Sequence, residues 1–480
     1  MRLSDQDASF LYTETASGPM QTAGIMIIDG EVPFDEIYAH YAARVHLVPR
    51  LRQRLVFVPM NLAHPKWVDD PDFNVANHVV HHPIPEGTSL EDAMDLICDL
   101  NEGLMDRSIP LWKFHVVTGV PGTTLVLQQA HHAMVDGASA VQMSTVLFDY
   151  DAEADPPEPP GEWRPPPVPG AMELMTEAMQ ENAEAAMSAN PLAMTGDNMA
   201  QHMQKAMDAM GRFVTEPAVT APWNASVLGP KRRLQVSSHA FTEFREIRRA
   251  LGGTINDVVL TAVTEGAARY LEAHEEYTDN QRFRVMCPVN VRTEGEGGDM
   301  GNRVSAIFPM FPAFSMSLPE RHERVCEETE SVKNSGAAQA MTALQENAVS
   351  IPPMTLAPLL LVGTPFDPTR FAAANPPPVP PKLGARPPSF GINFVLTNVP
   401  GVQVPQYIAG RPIRSQAAIM MMGGNLGLGI AVGSFNQQMI FNLTADPRLL
   451  PDLDVLNQHI CDAFHELLEI AREKNGAVAA

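Results

Sequence analysis

The chain alternates between two hydrophobic periodicities. Gln21–Asp29 reads as a strand and Asp35–Leu47 as a helix with one apolar face. Ser89–Met105 predicts a helix opened by Ser89 as N-cap, with Asp92 three residues on as a capping-box variant. Phe114–Thr118 and Thr123–Gln129 read as two strands joined by a Pro-Gly turn, and Ala138–Tyr150 as a closing helix. Farther on, Phe241–Leu251 and Asn256–Glu275 read as helices broken by Gly252-Gly253, Arg284–Val291 as a strand, and Pro319–Glu346 as largely helical. Asn393–Thr397, Ile419–Met422, Leu426–Val432 and Met439–Leu443 are strand candidates, and Asp454–Lys474 is a C-terminal helix. Both halves mix strands with helices, so the expected class is α/β with two related layered units.

Proline marks the joints. Residues 151–170 hold eight prolines and residues 365–388 hold nine. The first stretch is extended and semi-rigid, suited to crossing between domains; the second reads as a long loop. The expected division is an N-terminal domain over 1–150, a crossover and helical segment over 151–228, and a C-terminal domain over 229–480. Nine of the 27 methionines fall within 171–213, where Met199, Met203, Met207 and Met210 repeat at helical spacing. A Met-lined helix packed on the protein body is the expectation there; an adaptable apolar surface near a lipid entrance is the alternative.

Charge narrows the function. Thirty-three basic against 56 acidic side chains give −23, which repels phosphate backbones and excludes nucleic-acid binding as the default. The four cysteines lack any close pair, so neither a disulfide framework nor a zinc site is expected. The N-terminus lacks an apolar leader, and Ala418–Phe435, with five glycines and Asn425, reads as two buried strands around a Gly-Gly turn instead of a membrane span. A soluble cytoplasmic protein is expected.

The densest polar constellation is His131-His132-Ala-Met-Val-Asp136-Gly137, directly after the strand TTLVLQQ. A strand end opening onto a helix fixes the direction of catalytic groups. The spacing lacks the helix-phased pair of a zinc site, so no metal is expected. Two readings stay open: histidines that brace the loop, and a histidine acting as general base near neutral pH. No G-x-S-x-G elbow is present, so a base here would activate an external acceptor and not a protein nucleophile.

HHAMVDG at 131–137 resembles the HHxxxDG motif of the bacterial wax ester synthase/acyl-CoA:diacylglycerol acyltransferase family. LSDQDASFLY near the start, PLW at 110–112, Asn256-Asp257, CPVNVR at 287–292, GNRVS at 301–305, LTNVPG at 396–401 and FNLTADPRLLPDLD extend the resemblance, in order, over nearly the whole chain. Asn290 and Val402 depart from the Ser and Pro usual in that pattern.

The resemblance implies a chloramphenicol acetyltransferase-like fold, with two α/β domains, a tunnel between them, and the motif at its middle. It implies transfer of a long-chain acyl group from acyl-CoA, as co-substrate with no further cofactor, to diacylglycerol or a long-chain alcohol. A condensation-type transfer with another donor or acceptor, or a non-catalytic storage-lipid-binding protein, is the alternative. His132 is then the base, His131 orients the loop or shapes the tunnel, Asp136 is structural with Arg292 as partner, and Gly137 leaves room for pantetheine or the acyl chain. Asn256 and Asp257 either cap a helix or touch substrate, and Thr397 either donates to the oxyanion or is simply a strand-end hydroxyl. Lys231-Arg232-Arg233 either meets CoA phosphates or is a solvated charge run. Peripheral contact with a membrane or lipid droplet is compatible with this reading.

Overall fold

The computed structural model describes residues 1–188, 211–290, 304–336 and 391–479 apart from 214, 225–227 and 277, together with 201, 204, 205, 207 and 208. A six-stranded sheet organises the first half. Its order is β12 (Tyr407–Ile408), β13 (Arg411–Ile419), β1 (Gln21–Asp29), β6 (Thr123–His131), β5 (Trp112–Val120) and β4 (Val79–Pro83). One face carries α2 (Phe34–Ala42) and α4 (Gly137–Leu147) over a core that includes Tyr41, Trp112 and Phe114. The other face packs against α3 (Leu90–Leu100), whose Ala93, Ile97 and Cys98 meet Leu125 and Leu127. A two-stranded sheet, β2 (Gln53–Val56) with β3 (Lys66–Asp69), stands apart.

The second sheet runs β10 (Met310–Pro312), β8 (Arg282–Asn290), β11 (Phe394–Val399), β14 (Leu428–Phe435), β15 (Gln438–Ala445) and β7 (Arg233–Ala240), with β9 (Val304–Ile307) also paired to β8. The helices α6 (Phe241–Leu251), α7 (Ile255–Ala273), α8 (Leu318–Asn334) and α9 (Leu453–Ala479) supply the largest core together with this sheet. Helices α7 and α9 cross closely at Gly266, where an added Cβ would lie 2.5 Å from Ile460 Cγ1 and 2.7 Å from its Cα. Leu234, Val236, Phe435 and Ile440 of the second sheet join the cores of the first half instead, so the domains share an apolar seam.

The predicted strands and helices recur with shifted ends, save in one stretch. The apolar run Ala418–Phe435 does contain two strand segments, but they do not form a hairpin. Its first residues end β13 in the first sheet, and β14 belongs to the second, so Met420–Gly427 is a crossing between sheets. The strand expected at Ile419–Met422 therefore ends where it was expected to begin. Residues 407–419, assigned by the proline clusters to the C-terminal domain, complete the N-terminal sheet; the linear division does not follow the sheets. Side chains of β15 stitch the crossing, with Ala418 N–H donating to Asn442 Oδ1 (2.9 Å) and Met420 N–H to Thr444 Oγ1 (3.1 Å).

The methionine-rich segment opens as α5 (Ala171–Ser188), held on the body by Leu174 and Ala178 against Val58. Its methionines do not make that contact: Met172, Met179 and Met187 are exposed, as is Met207 farther on. Met199, Met203 and Met210 lie outside the described residues, as do Pro365–Pro388 and the end of the helix expected to reach Glu346. No helix among the described residues is long and apolar enough to cross a membrane.

Candidate active site

The motif begins where β6 ends. His131 sits opposite Gln21 of β1, and its N–H donates to Leu111 O (3.0 Å) in the PLW segment. The next N–H, that of His132, donates to Met20 O (2.8 Å). Consecutive side chains leave a strand on opposite faces. His131 is accordingly fully buried on one side, while His132 is half-buried on the other.

His131 is wired into the protein. Its Nδ1 accepts the Ala133 N–H (3.0 Å), which leaves the proton on Nε2, directed at Glu14 Oε1 3.3 Å away. Glu14 is itself buried and receives the Met20 N–H (2.9 Å) and Arg107 Nη2 (2.8 Å). Burial alone would push its carboxyl up. The contacts with His131, Met20 and Arg107 outweigh that and hold it at about 2. Glu14 thus grips both histidines, His131 directly and His132 through the Met20 peptide.

His132 lies under α1 (Asp5–Thr13), a helix capped by Ser4, whose Phe10 ring stands 4.3 Å from the imidazole, centroid to centroid. Burial lowers the His132 pKa, against the opposing charges of Asp136 and Asp7. The imidazole is neutral at pH 7 as a result. Its own main-chain carbonyl also favours the charged form, but burial prevails.

Asp136 is buried and caps α4, its Oδ1 accepting the Ser139 N–H (2.8 Å). Arg292, its expected partner, lies outside the described residues. At Gly137 an added Cβ would stand 3.1 Å from Val399 Cγ2, so glycine lets the β11 strand end of the second domain close on the motif. Thr397 is half-buried two residues earlier in β11, on the same face as Val399. The following Gly401 is equally constrained, since a Cβ there would fall 2.1 Å from Ser434 O.

The other predicted residues serve elsewhere. Asp257 closes a capping box with Thr254 at the start of α7 and accepts Thr329 Oγ1 (2.7 Å) from α8; half-buried Asn256 shares that first turn. These bonds favour the helix-start reading of the pair. Lys231 and Arg233 face Asp99 and Asp95 of α3 at 3.7 and 3.4 Å. Arg232 is buried, bonding Gly229 O (2.6 Å) and Ser17 O (2.8 Å). This run joins the two domains and is not a free phosphate contact. Among the described residues no group of three or more His, Cys, Asp or Glu side chains could hold a metal.

Glu14, Arg107 and Phe10 were not singled out from the sequence. Phe10 lies within the quoted LSDQDASFLY and Glu14 just beyond it, whereas Arg107 stands three residues before PLW. What the site offers is a neutral, half-buried imidazole at a strand end, beside the point where Val399 of the second domain closes on Gly137, suited to taking a proton from a hydroxyl.

Residues 3–259 match the wax ester synthase/diacylglycerol acyltransferase catalytic domain, and residues 300–468 match the C-terminal domain of the same family. The probable diacylglycerol O-acyltransferase tgs1 of Mycobacterium tuberculosis is 27% identical over 491 residues, spanning 98% of this chain and 96% of its own. A second from that organism, tgs2, is 24% identical over 468 residues, spanning 96% and 97%. Among solved structures, the wax ester synthase/diacylglycerol acyltransferase from Marinobacter aquaeolei VT8 superposes with a TM-score of 0.65 at 20% identity, covering 98% of this chain and all 100% of that one. The first condensation domain of the calcium-dependent antibiotic synthetase gives 0.58 at 14% identity, covering 98% and 96%. The two-domain α/β fold expected from the sequence is the fold of both.

Proposed function

The chain belongs to the wax ester synthase/diacylglycerol acyltransferase family and is an acyltransferase, and from that membership we propose that it moves a long-chain acyl group from acyl-CoA to diacylglycerol or a long-chain alcohol. His132 acts as the general base. Its imidazole takes the acceptor hydroxyl proton while the oxygen attacks the thioester carbonyl. The tetrahedral intermediate collapses, the carbon–sulfur bond breaks, and the departing thiolate recovers the proton from His132 as CoA-SH. Thr397 is the proposed oxyanion donor, reaching the intermediate from β11. Acyl-CoA and acceptor meet between the domains, and the reaction belongs to the cytoplasm, where CoA thioesters are made.

The observation that carries this reading is the His132 imidazole: neutral, half-buried, set at a strand end with its main-chain N–H on Met20 O, and adjoining the β11 strand end of the second domain through Gly137. A general base contributes about 10²–10⁴-fold to rate. His132→Ala should lose that factor with both diacylglycerol and alcohol acceptors, followed by thiol release, while acyl-CoA binding and thermal unfolding stay near wild type. Because the base acts on the acceptor, no acyl-enzyme should form with acyl-CoA alone. A stable acyl adduct in the intact mass of active enzyme overturns direct transfer.

A further inference from the structure

Helix α5 has two apolar faces, and the body of the protein uses one. Leu174 and Ala178 meet Val58 with Val56, Leu62 and Ala63 behind it. Glu177 and Glu181, on a flank of that face, pair with Lys66 and Arg2. At 3.6 residues per turn Met172, Met179 and Ala183 fall on a single stripe, bordered by Met175 and Met187, on the side away from Leu174. Met172, Met179 and Met187 are 74%, 61% and 87% exposed.

A second element extends this stripe. Asn182 Nδ2 donates to Leu62 O (3.0 Å), fixing the loop 57–62 along the edge of the helix that also bears Met175 and Met179. That loop exposes Phe57 (40%) and Met60 (70%). Met60 has φ 58°, a left-handed conformation costly for an unbranched side chain outside glycine, and it projects from the tip of the turn. Two separately held elements therefore present one apolar surface built of thioethers, which adapt to irregular apolar partners.

We infer that this surface docks the enzyme on a lipid surface of no net charge, such as phosphatidylcholine-coated neutral lipid. The inference rests on the acyl-transfer reading above, because diacylglycerol is insoluble in water and must be drawn from a lipid phase. Charge decides which lipid. The stripe itself carries no cation, the two basic side chains that meet the helix lie on its body side and are already paired with Glu177 and Glu181, and the chain bears −23, so an anionic bilayer would repel it.

Flotation with a phosphatidylcholine-coated triolein emulsion tests this, comparing wild type with the triple variant Met60→Gln/Met172→Gln/Met179→Gln, which leaves Leu174 and Ala178 in place. Wild type should float and the variant should partition at least about tenfold less, since withdrawing the equivalent of one apolar side chain from lipid gives that factor. Turnover of emulsified dioleoylglycerol should fall with it, while turnover of decanoyl-CoA with dissolved hexanol stays unchanged. Equal flotation of both proteins, flotation of wild type only with phosphatidylglycerol vesicles, or a particle mass in light scattering that differs between wild type and variant would each overturn the assignment. Hexanol turnover by wild type reports the acyl-transfer reading separately, whatever the flotation shows.

Discussion

Replacing Glu14 by Gln keeps the shape of the side chain and one acceptor oxygen but removes the charge that Arg107, the Met20 N–H and His131 converge on. The carboxyl is displaced from its ordinary 4.5 to about 2, which at 1.36 kcal/mol per unit corresponds to about 3 kcal/mol of folding free energy. Glu14 is almost fully buried, so solvent does not screen that figure away, although half-open Arg107 does reduce its own share. The sign follows from a lowered folded-state pKa. The stabilisation is fully present above pH 4.5 and is lost as pH falls toward 2. Thermal unfolding of wild type should therefore drop steeply through that window, and Glu14→Gln should be less stable at pH 7 yet flatter below 4.5. Because Met20 also holds the His132 N–H, kcat should fall by about 10–100-fold through misplacement of the proposed base, with KM nearly unchanged. Identical pH–stability curves for the two proteins, or a loss confined to KM, would refute the positioning argument.

Three further outcomes follow from the same geometry. Asp136→Asn retains an N-cap acceptor, so stability should change little, but it removes a charge that raises the His132 pKa; the acid limb of kcat/KM should shift to lower pH. Gly266→Ala drives a methyl into the Ile460 backbone and should cost about 1–3 kcal/mol of overpacking despite the better helix propensity, read from the unfolding midpoint. His274 is lowered by partial burial but raised on balance by its bonds to Tyr270 O and Asp452. Its stabilisation is thus complete below pH 6.5 and lost as pH rises through the raised value. Asp452→Asn should flatten the unfolding midpoint between pH 6 and 8, by under about 1 kcal/mol for so exposed a pair.

Local signals were legible where the determinant is local. Alternation gave β1 its observed span of Gln21–Asp29, and glycines 252 and 253, both at positive φ, end α6 where the pattern broke. The motif histidines were legible because they sit together at a strand end. What the sequence hid is pairing at a distance. Nothing near Ala418 says that β13 joins β1 while β14, starting nine residues after β13 ends, joins β11. Glu14 is one acid among 56, and its partner Arg107 lies 93 residues away. Arg232 resembles its neighbours, exposed Lys231 and half-buried Arg233, until the fold closes over it.

The insertion of β13 beside β1 also bears on how this chain leaves the ribosome. Six strands must assemble for the first sheet, and two of them are translated after most of the second sheet's residues. Until Arg411–Ile419 emerges, β1 is an open edge with the apolar run Ala-Gly-Ile-Met-Ile-Ile exposed to any neighbouring chain. The N-terminal half cannot therefore complete itself during synthesis. A truncated product ending in the crossover segment would be sticky, and efficient production calls for something to guard that edge until the C-terminal strand arrives.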